Sequence, residues 1–78
     1  MTEDEYLILG REILAAYGGG GTIHTRTRAR LILLGLSNGP ERDALATACR
    51  AAIATGDWKA VDGMVWKNHW SNKRGHQS

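Results

Sequence analysis

The sequence predicts an all-α fold, a small bundle of about four short helices, and three observations carry that expectation. Apolar residues in the first segment recur at intervals of three and four behind a helix-start signal. Residues 40–55 consist almost wholly of strong helix formers, bounded by Pro40 and Gly56. A single stretch, 22–30, alternates polar and apolar residues as a strand does, and the chain offers it no convincing second strand to pair with.

Thr2 and Glu5 have the spacing of a capping box, in which hydroxyl and carboxylate each satisfy a free backbone N–H of the first turn. Glu3, Asp4 and Glu5 also complement the positive end of the helix dipole. Tyr6, Leu9, Ile13, Ala16 and Tyr17 then fall on one face with Leu14 beside them, which predicts a first helix over 4–17. Gly18 to Gly21 end it, because four glycines lose too much backbone entropy to stay helical. The run reads as a linker. A phosphate-binding loop would need G-x-G-x-x-G after a strand, or a lysine followed by Ser or Thr, and neither is present.

Residues 22–36 fit two periods. With period two, Ile23, Thr25, Thr27, Ala29 and Leu31 face one way and His24, Arg26, Arg28 and Arg30 the other, a strand with a basic ribbon on its open face. With period 3.6 the apolar run Leu31 to Leu34 forms a short buried helix whose first turns carry the arginines, where the helix dipole disfavours them. The expectation is a helix over 27–36 preceded by an extended segment at 22–26, with an extended basic segment over 22–30 as the alternative.

Ser37 to Pro40 is a turn by composition, and Pro40 suits the first position of the next helix. That helix spans 40–55, buries Leu45, Cys49, Ala52 and Ile53, and ends at Gly56. Asp57 caps a fourth segment, 57–70, with Trp58, Val61, Val65 and His69 on one face and Trp66 and Trp70 beside it. Asp62-Gly63 inside this segment is a hairpin signal, so 59–61 against 64–66 is its alternative. Residues 71–78 hold no apolar anchor and are expected to be disordered, leaving one domain over 1–70.

At 78 residues the chain has room for one modest core, which leaves self-association as a homodimer open. Its one cysteine closes no internal disulfide, and its acidic N-terminus lacks the basic and apolar regions of a secretory signal. The expectation is a soluble cytoplasmic protein with no membrane partner. The net charge of +2 is too small to indicate a partner, but the distribution is uneven: acids crowd the first segment, while no acid lies between Gly18 and Pro40. Lys67, Lys73 and Arg74 make a second basic cluster.

A metal site would need His24, His69, His76 and Cys49 to converge from separate elements with no ligand-pair spacing, and none is expected. Cys49 sits on the apolar stripe of its helix and reads as a small core residue. No paired carboxylates, Ser-His-Asp or Cys-His arrangement marks an enzyme, and no cofactor is implied. What remains is binding, with Arg26, Arg28, Arg30, Trp66, Lys67 and Trp70 as candidate contact residues, since arginine and tryptophan dominate interface energetics. The plainer reading of the same residues is a solvated basic face over core tryptophans.

The succession TIHTRTRAR, ARLILLGL and PERDALATACRAAIA resembles the ribbon-helix-helix repressors, which implies strand pairing in a dimer and entry into the DNA major groove. In general character, one compact domain with no enzyme motif and a surface of Arg26, Arg28, Arg30, Trp66 and Trp70, the chain is similar to the small anti-CRISPR proteins of phages and prophages. That resemblance implies a non-enzymatic inhibitor of a host defence complex, such as a CRISPR effector, docking its basic strip on an acidic patch. The alternatives are a small nucleic-acid-binding regulator that uses 24–30, and a structural subunit of a phage assembly.

Overall fold

The computed structural model describes residues 2–16 and 23–66, which form four helices: α1 (Glu3–Ala15), α2 (Ile23–Gly35), α3 (Pro40–Thr55) and α4 (Lys59–Val65). The all-α expectation holds, and no strand occurs among the described residues. The capping box opens α1 with both bonds in place: the Glu5 amide donates to Thr2 Oγ1 at 3.2 Å, and the Thr2 amide donates to Glu5 Oε1 at 2.7 Å. Tyr6, Leu9 and Ile13 form its buried stripe.

The largest departure from the sequence reading is at 22–30. Ile23 to Arg30 is helical, so neither the extended segment at 22–26 nor the basic ribbon forms over the described residues 23–30. Thr25, Ala29 and Leu33, spaced by four, are buried along one side of α2, and burying that stripe outweighs the period-two alternation. It also removes the strand that a ribbon-helix-helix arrangement would pair. Gly10 lies against Arg30 and Leu34, while the Leu14 carbonyl meets Arg26, so α1 and α2 run antiparallel.

α3 has the predicted bounds. Pro40 occupies its first turn, and Gly56 adopts the left-handed conformation (φ 81°) with its amide donating to the Ala52 carbonyl. Leu45, Ala46, Cys49 and Ala52 are buried; Ile53 is half-buried. The fourth segment is a helix and not a hairpin, although shorter than the predicted 57–70: it ends at Val65, with Trp66 as its C-cap. Trp58, not Asp57, is its N-cap; Asp57 Oδ1, one residue earlier, accepts from the Lys59 amide at 3.0 Å. Tyr17, the glycine run, residues 67–70 and the tail 71–78 lie outside the described residues.

The four helices share one core. Tyr6, Leu9 and Ile13 meet Ala29 and Leu33, the α3 stripe, and Trp58, Val61 and Val65 from the fourth segment. No described helix is long and apolar enough to cross a membrane.

Gly63 lies inside α4 with nothing within 4 Å of where a Cβ would stand. Gly63→Ala is expected to stabilise the fold by about 0.5–1 kcal/mol through lower helix-forming entropy, read as a raised urea midpoint with unchanged slope.

Candidate functional site

Arginines 26, 28 and 30 do not form a strip, because a helix turns each to a different neighbour. Arg26 is 5% exposed, and its Nη1 donates to the Leu14 carbonyl at 2.8 Å. Arg28 is half-buried; its Nε donates to the Val65 carbonyl at 2.7 Å, and its guanidinium lies 4.7 Å from the centre of the Trp66 ring. Arg30 is exposed, with its aliphatic stem laid over Gly10. The Leu14 and Val65 carbonyls belong to the last turns of α1 and α4, where backbone oxygens lack helical donors and carry the negative end of the dipole. The placement that disfavours arginine within α2 therefore favours it toward α1 and α4.

Around Trp66 the structure builds a polar relay. The indole Nε1 donates to Thr25 Oγ1 at 3.2 Å, and the Thr25 hydroxyl donates to Asp62 Oδ1 at 2.7 Å. With Arg28 against its ring, Trp66 is held from two sides and still 52% exposed. Of the six predicted contact residues, Arg28 and Trp66 come together and Arg30 faces solvent. Arg26 serves the interior, and Lys67 and Trp70 lie outside the described residues.

The site that the sequence did not disclose is Arg42. It stands in the first turn of α3 and is 2% exposed. Its Nε donates to the Leu33 carbonyl at 2.9 Å in the last turn of α2, Nη1 donates to Asn38 Oδ1 at 2.9 Å, and Nη1 and Nη2 grip the Glu3 carboxylate at 3.0 and 2.8 Å. The guanidinium stacks 3.7 Å from the centre of the Tyr6 ring, and the Tyr6 hydroxyl donates to Asp43 Oδ1 at 2.9 Å. The Arg42 hydrogen bonds hold the Glu3 carboxyl below its ordinary range, and the bond with Thr2 does the same for Glu5. Burial, then the bond to Asp43, raises the Tyr6 phenol. A faint signal existed: Arg42 stands three residues before Leu45 and seven before Cys49, on the buried face.

Cys49 is fully buried, and burial pushes its thiol up to about 12. Among the described residues no three His, Cys, Asp or Glu side chains converge as metal ligands. A shallow depression of about 350 Å³ at the α2–α3 corner is lined by Leu36, Ser37, Asn38, Gly39, Pro40 and Glu41 and presents no convergent chemistry. Set against protein-family models, curated proteins and solved structures, the chain has no significant match.

Two outcomes follow from these geometries. A carboxylate whose folded pKa is depressed contributes stability above its unfolded value, near 4.5 for Glu3 and Glu5, and loses it as pH falls through the folded value. Urea midpoints should therefore drop between neutral pH and pH about 3. Glu3→Gln should lower the neutral midpoint and flatten that decline, and Arg42→Met should lower the neutral midpoint further, since it also strips the Leu33 carbonyl of its donor. Cys49 should react with a thiol reagent at neutral pH only as fast as the protein opens, so its labelling rate should rise with urea in step with unfolding.

Proposed function

We propose that this chain acts by binding, as a non-enzymatic protein that docks on a macromolecular partner through Trp66 and the adjoining Arg28 and Arg30. The observation that carries the reading is the half-exposed indole held in place by Thr25 and Arg28. A large aromatic ring fixed before contact loses little conformational entropy on binding, and tryptophan and arginine are the side chains on which interface energy concentrates. Arg30 adds an exposed positive charge on α2. Lys67 and Trp70 follow Trp66 closely in sequence and belong to the same proposal.

The partner class proposed first is a host defence complex with an acidic patch, the role implied by the likeness to anti-CRISPR proteins. A phage or prophage origin, action in the cytoplasm and the absence of catalysis belong to that proposal. A fixed indole next to a guanidinium is also a platform on which a nucleic-acid base stacks, and this supports the alternative of a nucleic-acid-binding regulator. That alternative now rests on the Trp66 platform in place of a paired ribbon.

Trp66→Ala and Arg30→Glu should each keep the helical circular dichroism spectrum and weaken capture of a CRISPR effector complex by about tenfold or more, the usual loss at an interface anchor. Capture unchanged in both variants would remove the platform from the reading. Fluorescence anisotropy with single- and double-stranded oligonucleotides at low and near-physiological salt separates the alternative. Affinity that survives salt and disappears in Trp66→Ala would assign the platform to nucleic acid.

A further inference from the structure

Two sides of the Trp66 ring are taken, and the side left over limits what can meet it. The Arg28 guanidinium lies over one ring face, 4.7 Å from its centre, and the Nε1 edge donates to Thr25 Oγ1. With that face and that edge occupied, the 52% exposure of the residue falls to the opposite face and the outer edge of the benzene half. The Thr25 hydroxyl is committed in turn to Asp62 Oδ1, so the ring cannot swing without breaking this relay. The open face is therefore held in one orientation.

Its chemistry is set from behind. A cation over one face draws on the negative potential of the ring, which leaves the other face a poor seat for a partner's lysine or arginine. It remains a good seat for a second flat ring in an offset stack. Proteins keep most of their aromatic surface inside, and a base in a duplex is covered by the bases above and below it. The exposed ring with a face to give is above all the unpaired base, which proteins bind by stacking on aromatic side chains. The charges around Trp66 do not form a track for a phosphate backbone. Arg26 is buried on the Leu14 carbonyl, Arg28 is bonded to the Val65 carbonyl, and exposed Asp62 stands one turn before the ring. We propose that the open face of Trp66 takes one unpaired base of single-stranded nucleic acid, held by stacking more than by phosphate contacts. The proposal rests on Trp66 being a binding platform and narrows its nucleic-acid alternative.

Fluorescence anisotropy of the full chain at near-physiological salt tests this with three labelled probes: a short oligothymidylate, an abasic strand of the same length, and a duplex. The abasic strand keeps every phosphate and lacks only the bases. It should bind about tenfold more weakly or worse than oligothymidylate, the scale of one lost stack, and the duplex should bind as weakly. Trp66→Leu keeps apolar bulk without a ring face and should lose as much affinity for oligothymidylate, whereas Trp66→Phe should keep most of it. Helix content by circular dichroism should be unchanged in both. An abasic strand bound as tightly as oligothymidylate overturns the proposal, as does affinity indifferent to Trp66→Leu or no binding of oligothymidylate. If oligothymidylate does not bind and Trp66→Ala still abolishes capture of an effector complex, the base falls and the platform belongs to a protein. If that capture is also unchanged, both readings of Trp66 fall.

Discussion

Helix ends that cannot finish themselves govern this structure. α1, α2 and α4 have no basic residue in their last turns, and in each case an arginine from another helix reaches a terminal carbonyl: Arg26 at α1, Arg42 at α2 and Arg28 at α4. A hydrogen bond from a charged donor contributes about 1.5–3 kcal/mol, more than a solvent-exposed ion pair does. Arg42 makes one such bond to the Leu33 carbonyl and two more to the Glu3 carboxylate. α3 instead closes on a left-handed C-cap glycine, Gly56. Because these bonds run between helices, they tie the elements to each other as well as closing them.

The same bonds decide what surface is left for a partner. Two of the three arginines that looked free in sequence are drawn toward the chain's own carbonyls, which breaks up the basic strip and concentrates candidate chemistry at Trp66. The indole gains order from the rearrangement: Thr25 takes its N–H, and Arg28, already anchored on Val65, lies against its ring. The outer flank of α2 keeps Leu31 in solvent. A thirteen-residue helix thus serves the core on one side and holds the Trp66 platform on another.

What could be read from sequence follows the range of the forces involved. The capping box at Thr2 and Glu5, the Pro40 start and Gly56 end of α3, and the stripe of Leu45, Cys49 and Ala52 depend on interactions within a few residues. Each was legible as it stands. Residues 23–30 were not, because their alternation satisfies a strand locally, and the α1 and α4 carbonyls that receive Arg26 and Arg28 belong to other helices. Arg42 was legible only as a position on the buried face of α3: nothing near it in the chain shows that Leu33, Glu3 and Tyr6 will surround it.

The sequence by itself therefore determined the class of the fold, the ends of its most regular helix and the apolar stripes that make the core, since spacing and backbone chemistry act locally. Only the tertiary structure decided the fate of the arginines, the conformation of 23–30 and the exposure of Trp66 and Leu31. Those depend on charges and donors that meet between helices, from Arg42 and Leu33 at a separation of 9 to Arg28 and Val65 at 37, and no local pattern records such a meeting.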